Sequence, residues 1–300
     1  MKKPFALAIM VMFTCALLAF VGCGQTEGST GGGKSMKVNL QDPAAGVRVA
    51  AIDVGKGDCI LVQAGGSSVL IDAGYEDTSD EVVSYLRSHG VDLLDCLVIT
   101  HYDKDHIGGI RAVGKAFEVS AIYLPGYTGA DKQYRMAMDA VDDLGVPTQL
   151  VTSEQVLKLG DANLAILPSR LTYNPNADGG EGNDNDLSLV AELTYQNDSY
   201  LFAGDLEKEG LEAYLKGGRG RFDVLKMPHH GEKSGNTDDF LEDVQPKIAI
   251  VTDSAEDPAD KKTLKLLKNC GADTYCTSVC GTIVVESDGA GSYSVSVGDR

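Results

Sequence analysis

Residues 100 to 109 read Thr-His-Tyr-Asp-Lys-Asp-His-Ile-Gly-Gly and follow directly on the apolar run Cys96-Leu97-Val98-Ile99. His101, Asp103, Asp105 and His106 thus put four potential metal ligands into six positions at the end of a run that reads as a buried strand. Such a loop demands a fold in which interior strands end at a common edge and present side chains there. In a short loop alternate residues face opposite ways, so His101 and Asp103 can address one cation while Asp105 and His106 address another. The pattern implies a hydrolase that uses two divalent metal ions.

The rest of the histidine inventory points the same way. Of five histidines, four form two tight pairs, His101 with His106 and His229 with His230. Each pair follows an apolar strand, as metal loops do. His89 instead ends a helical segment before Gly90, where a cation or a capping donor is favourable, and reads as structural. Which of His229 and His230 binds metal cannot be read from these residues; the neighbour would bind substrate phosphate or act as an acid. Asp205 follows Tyr200-Leu201-Phe202-Ala203 through Gly204, at a position that suits either a carboxylate bridging two cations or the N-cap of a helix from Leu206.

The pattern of elements is that of a layered α/β chain. Strand-like runs Val47 to Val54, Cys59 to Gln63 and Ser68 to Ile71, separated by Gly-rich turns, predict an antiparallel meander. Helical spacing follows over Glu81 to His89, Ile107 to Ala116 and Asp131 to Asp143, with strands at Cys96 to Thr100 and Ala121 to Leu124. A second set of strands is expected at 164–167, 187–195, 200–203, 224–227, 248–251, 274–276, 283–286 and 293–297. Helices are expected at 206–215, 238–244 and 261–269. Two strand-rich halves, each with helices, fit two sheets covered on both outer faces by helices.

The motif H-x-D-x-D-H-x-G-G resembles the signature loop of the metallo-β-lactamase fold, in the variant with Asp103 in place of a second histidine. Further blocks occur in the same order: Asp53-Val54-Gly55-Lys56-Gly57-Asp58, Ile71-Asp72-Ala73-Gly74, Asn185-Asp186-Leu187-Ser188, Ala203-Gly204-Asp205 and Lys226-Met227-Pro228-His229-His230-Gly231. Together they resemble the hydrolase domain of ComEC-type competence proteins, from about Val47 to the terminus. The resemblance implies a four-layer αβ/βα sandwich and a bridging role for Asp205. It also implies that Asn185 or Asp186 completes the first metal position, with Asp186 the better anionic ligand. The expected metal ligands are therefore His101, Asp103, Asp105, His106, Asp186, Asp205 and His229, with Asp105 and His230 as catalytic groups. The chain departs from the pattern at Lys56, where relatives have Gln, at Glu232, where they commonly have Ser, and at Asp257-Pro258, where they often carry a histidine. Lys56 and Lys233 are candidate substrate-binding cations.

The carboxylate-rich donor set makes manganese competitive with zinc, and no cysteine falls in the ligand loops. A metal-bridged hydroxide is the expected nucleophile, because coordination lowers the pKa of water from about 15.7 towards 7.

The first 22 residues are a separate object: Lys2 and Lys3 precede an apolar run from Phe5 to Val21. Phe20-Val21-Gly22-Cys23 resembles a lipoprotein cleavage site, with Cys23 as the lipidated residue and Phe20 in place of the usual Leu. Residues 23–46 read as a flexible tether and 47–300 as the folded domain, exported and held at the membrane by a lipid anchor, with no transmembrane channel in this chain. Without Lys2 and Lys3 the chain keeps 24 basic residues against 44 acidic ones, a charge of −20. That charge repels polyanions at long range. Of the five cysteines beyond Cys23, Cys59 and Cys96 sit in apolar runs and read as buried, while two of Cys270, Cys276 and Cys280 could pair in an oxidising compartment.

The resemblance implies a phosphodiester substrate, plausibly DNA, and a phosphodiesterase or nuclease activity. A small ester, lactam or cyclic nucleotide meets less resistance from the acidic surface. A non-catalytic metal-containing binding lipoprotein is the third reading.

Overall fold

The computed structural model of the chain describes residues 46–177 and 182–299; the expected signal peptide, Cys23 and the tether to residue 45 lie outside the described residues. Val47–Ala51, Ile60–Ala64 and Ser67–Ile71 pair as the expected antiparallel meander. The terminal hairpin, Thr282–Ser287 with Tyr293–Asp299, returns to this sheet and sets Val47 against Ser287. On the other side Cys96–Val98, Ile122–Pro125 and Thr148–Val151 continue it in parallel, giving eight strands among the described residues. A second sheet of seven strands runs in the order 273–276, 248–251, 224–226, 198–202, 190–195, 162–167 and 155–159.

The period-two alternation of strands sorts the apolar residues into three layers of core. Val47, Val49, Ala51, Ile60 and Val62 face Leu164, Ile166, Ala191, Leu193, Tyr200 and Phe202 across the space between the sheets. The intervening Ala50, Leu61, Leu70 and Leu97 pack outward on Val82, Leu86, Ile110 and Val113 of the covering helices. On the second sheet Leu201, Leu225 and Ala249 pack on Leu211, Phe240, Leu241 and Leu267. The central strands of both sheets are buried on both faces, which is why they read as apolar runs. The fold is the expected four-layer sandwich. Each fully buried aliphatic side chain contributes about 1.5–3 kcal/mol, so exchanging the two faces by a one-residue slip is strongly opposed.

Several elements differ from the sequence expectation. The helix expected over Ile107 to Ala116 is two helices, Lys104–Ile107 and Ile110–Ala116, broken at Gly108-Gly109. A Cβ on Gly108 would stand 2.2 Å from the Glu76 nitrogen and one on Gly109 2.2 Å from the Ala73 carbonyl oxygen, so the pair lets the loop after Ile71 lie directly on the ligand segment. The strand expected from Leu187 begins at Val190, after a 3-10 turn at Asn185–Leu187. Edge strands Thr148–Val151 and Gln155–Leu159 carry exposed Leu150 and Val156 and little alternation, and periodicity alone does not reveal them. Cys59, Cys96, Cys276 and Cys280 are buried and Cys270 is exposed.

No helix among the described residues is long and apolar enough to cross a membrane.

Candidate metal centre

Ligand loops leave both sheets at one edge of the sandwich, where the parallel strands Ser67–Ile71, Cys96–Val98, Asp198–Phe202, Val224–Lys226 and Ile248–Val251 end. Backbone bonds stitch the loops together: Ala73 N–H to the His106 carbonyl at 2.7 Å, Leu189 N–H to Thr100 at 2.8 Å, His229 N–H to Gly204 at 3.2 Å. These bonds join residues far apart in sequence and hold the side chains in register.

Asp105, His106, Asp205 and His230 form one compact group whose ligand atoms all lie within 4.8 Å of one another. His230 Nε2 stands 2.9 Å from Asp205 Oδ2 and 3.2 Å from Asp105 Oδ2. His106 Nε2 stands 3.3 Å and 3.5 Å from the same two oxygens. His101 lies beside it, its ring 4.0 Å from that of His106 and its Nε2 3.9 Å from Asp103 Oδ2. His101, His106 and His230 are buried, and the Nε2 atom of each makes no hydrogen bond among the described residues.

The opposite ring nitrogens explain why. Asp72 Oδ2 accepts from His106 Nδ1 at 2.8 Å. The Thr100 hydroxyl donates to Asp72 at 2.7 Å, so its oxygen is left to accept from His101 Nδ1 at 3.1 Å. Thr252 donates to Asp58 at 2.7 Å and so accepts from His230 Nδ1 at 3.0 Å. With every Nδ1 serving as donor, the three neutral rings turn bare Nε2 lone pairs toward carboxylate oxygens, which are acceptors too. Acceptors facing acceptors need a cation between them. The residues fit divalent ions, and Asp72, Thr100, Thr252 and Asp58 supply the outer hydrogen bonds that orient metal-binding imidazoles.

Protons take the cations' place when no metal is bound. Burial opposes charge on His230, yet Asp205, Asp105 and Asp58 lift its pKa to about 10. Burial likewise opposes charge on His106, and Asp205, Asp72 and Asp105 carry it well above the ordinary imidazole value. His101 goes the other way: burial, with His106 beside it, pushes it down to about 3 and keeps it neutral. Burial, then Asp184 and Asp105, raise Asp103 to about 7.

The structure brings together His101, Asp103, Asp105, His106, Asp205 and His230 from the residues singled out by sequence. Asp186 has other partners: its Oδ1 accepts the N–H groups of Glu207 at 2.9 Å and Gly210 at 2.7 Å, at the start of the helix Lys208–Leu215. Of the two adjacent histidines, His230 enters the group and His229 does not. His229 Nδ1 stands 3.1 Å from Glu207 Oε1, and its side chain is 22% exposed. The two rings diverge because both residues hold left-handed backbone, φ 45° and 50°, ahead of Gly231. Lys56 is ion-paired with Glu232 and, at 2.6 Å, with Asp257; Lys233 Nζ lies 3.2 Å from Asp238.

Sequence reasoning gave Asp58, Thr100 and Thr252 no metal-related part and did not single out Lys226. Lys226 is wholly buried, donates to the Gly204 carbonyl at 3.1 Å, pairs with Asp58 and stands 3.4 Å from Asp205 Oδ1. The available signal was a lysine inside the apolar strand Val224-Leu225-Lys226-Met227, where a charge has to have a buried partner.

Comparison with known proteins agrees with this geometry. Residues 52–251 match the profile of the Metallo-beta-lactamase superfamily. ComE operon protein 3 of Bacillus subtilis (strain 168) is 29% identical over 78% of this chain, and Recombination protein 2 of Haemophilus influenzae is 25% identical over 70% of it. The chain's matches cover 32% and 25% of those relatives' own lengths. Among solved structures, the metallo-beta-lactamase fold protein YhfI from Bacillus subtilis superposes with a TM-score of 0.52 at 12% identity, over 81% of this chain and all of that one. Fold, site geometry and profile agree that the chain belongs to the metallo-beta-lactamase superfamily.

Proposed function

We propose that this protein is an exported, lipid-anchored phosphodiesterase that works with two divalent ions, zinc or manganese. The observation that carries the reading is the meeting of three bare imidazole nitrogens with carboxylate oxygens in a buried pocket, those of His106 and His230 with Asp105 and Asp205 and that of His101 with Asp103. Asp58, Asp72 and Asp205 are buried and Asp105 nearly so, while Lys226 is the buried lysine or arginine among the described residues, and this excess of acid needs protons or metal cations beside it. Asp105, His106, Asp205 and His230 would hold one ion; His101 and Asp103, sharing Asp205, would hold the other. When bound, such ions lower the pKa of a coordinated water and offset charge on phosphoryl oxygens.

The chain's own residues do the rest. Asp105 offers a carboxylate oxygen inside the pocket as a proton acceptor. Asp72 and Asp58 keep the His106 and His230 rings turned inward. His229, backed by Glu207 at the half-open rim, is placed to hydrogen-bond a phosphate oxygen. The competence and recombination names of the relatives support a nucleic-acid substrate. A small phosphodiester is favoured over a polymer by one observation: Lys56 and Lys233 already have acidic partners and add little positive field to the mouth. The lipid anchor at Cys23 rests on the signal-like sequence before it.

The test incubates the purified protein with bis-p-nitrophenyl phosphate and with plasmid DNA, with manganese or zinc, beside an Asp205→Asn control. Metal-dependent release of p-nitrophenol, lost in the control, is expected. Metal binding without hydrolysis of either substrate would sink the phosphodiesterase reading.

A further inference from the structure

A group of charges outside the metal centre joins the two sheets at its rim. Lys56 lies in the turn between Val47–Ala51 and Ile60–Ala64 of the first sheet. Its ammonium meets Glu232, which follows the His229-His230-Gly231 turn, and Asp257 at 2.6 Å, in the loop after Ile248–Val251. One lysine thus ties together two loops that leave neighbouring parallel strands of the second sheet. Backbone contacts place it beside the site: Asp58 N–H donates to the Asp105 carbonyl at 3.1 Å, and a Cβ on Gly57 would stand 3.0 Å from Asp105 Cβ. Glu232 divides its oxygens, Oε1 pairing with Lys56 while Oε2 lies 4.0 Å from His229 Nδ1, the same nitrogen that Glu207 meets at 3.1 Å.

The charges in this group do not balance. Glu207, Glu232 and Asp257 set three acids against Lys56 alone. The lysine side chain is 18% exposed and those of Glu232 and Asp257 are 46% and 64% exposed, so an incoming anion meets the acids before the cation. Lys104, in the ligand segment itself, keeps its ammonium 6.0 Å from the centre of the Tyr75 ring and has no ion pair among the described residues. One free lysine suits the single charge of one phosphodiester. A nucleic-acid strand brings a further charge with every nucleotide, and those charges would face carboxylates.

We infer that Glu232 and Asp257 are specificity-determining residues: by masking Lys56 they turn the rim against a second negative charge, so that the substrate is a singly charged phosphodiester and not a nucleic-acid strand. The inference rests on the phosphodiesterase reading above and names its substrate class.

The test uses the full chain loaded with manganese in four forms. They are wild type, Glu232→Gln/Asp257→Asn, the same pair with Lys56→Gln added, and Glu212→Gln/Asp143→Asn. The last is a control of equal charge change, taking acids from the ion pairs of Lys216 and Arg111 on the covering helices. Exposed ion pairs add little to stability, so all four forms are expected to fold. Binding of a fluorescein-labelled phosphorothioate dodecanucleotide is read by anisotropy over a range of sodium chloride, and initial rates are measured on bis-p-nitrophenyl phosphate and on the ordinary strand. Unmasking Lys56 is expected to tighten strand binding at least about fivefold at low salt and to steepen the slope of log affinity against log salt by about 0.7, as one added lysine–phosphate contact does. The kcat/KM for the strand relative to bis-p-nitrophenyl phosphate should rise with it. Lys56→Gln should cancel the gain, and the control should match wild type. A gain that persists without Lys56, or that the control shares, would overturn the inference. If wild type hydrolyses bis-p-nitrophenyl phosphate and the unmasked variant binds and cleaves the strand no better, the inference falls and the phosphodiesterase reading stands; if no form hydrolyses either substrate, both fall.

Discussion

Lys226 and Asp58 form an ion pair that is sealed from solvent, and the same ammonium lies 3.4 Å from Asp205 Oδ1, leaving Asp205 Oδ2 to face His106 and His230. Burial works against charge on Lys226, but Asp58 and Asp205 hold its pKa above the ordinary lysine value. The lysine thus decides which oxygen of Asp205 reaches the pocket. Lys226→Met takes the lysine's charge away from two buried carboxylates and is expected to cost about 3–5 kcal/mol in urea denaturation of the metal-free protein. Adding Asp58→Asn to Lys226→Met should recover part of that loss. Equal stability of the single variant and wild type would show that the ion pair contributes nothing.

The stability of the metal-free protein should fall as pH rises above neutrality. The folded-state pKa of His230, about 10, lies above its unfolded value near 6.5, and His106 is raised as well. A raised pKa means that the folded state binds the proton more tightly, so the contribution is fully present below about pH 6.5 and is lost as pH climbs to about 10. His101 acts in the opposite sense and at lower pH: its folded pKa of about 3 removes stability as pH falls from about 6.5. Thermal melts of chelated protein from pH 6 to 10 should show falling Tm. Bound divalent ions displace these protons, so the metal-loaded protein should show a flatter profile. An identical slope in both forms would contradict the exchange of proton for metal.

Asp72 holds φ 59°, an unusual backbone for aspartate, and from there accepts from Thr100 N–H, the Thr100 hydroxyl and His106 Nδ1. One carboxylate therefore orients His106 directly and His101 through Thr100. Asp72→Asn retains an acceptor but loses the charge that faces His106. It is expected to weaken metal binding by about 10–100-fold, read by calorimetric titration with manganese. Unchanged affinity would mean that the imidazoles are fixed by packing alone.

Much of the fold and part of the site were legible because burial and ligation leave dense local signals. The strands around Val49, Leu61, Leu97 and Leu201 are apolar on both faces, and His101 to His106 lie within one loop. What stayed hidden depends on pairs remote in sequence. Nothing local to Thr252 says that it orients His230, and nothing local to Asp58 says that it meets Lys226 across 168 positions of chain. The choice between His229 and His230 turns on two successive left-handed residues, a conformation that side-chain type does not announce. Asp186 looked like a ligand because it is an acid in the right block, whereas the helix starting at Lys208 has the prior demand on its oxygen.

The Gly108-Gly109 break offers a test of how closely the site depends on backbone packing. A Cβ on Gly109 would stand 2.2 Å from the Ala73 carbonyl oxygen, a fixed backbone atom, whereas one on Gly90 would meet nothing within 4 Å. Gly90 has φ 73°, so Gly90→Ala costs backbone strain of about 1 kcal/mol and should leave the site intact. Gly109 has φ −82°, an ordinary value for alanine, so its cost comes from collision alone. Gly109→Ala must push the Asp72-Ala73-Gly74 segment off the ligand helix and is expected to cost about 1–3 kcal/mol. Because that segment carries Asp72, manganese affinity should fall together with stability, while in Gly90→Ala only stability changes. Calorimetric titration and urea denaturation of both variants separate the two effects; a Gly109→Ala protein with wild-type metal affinity would show that the glycine pair serves folding and not the site.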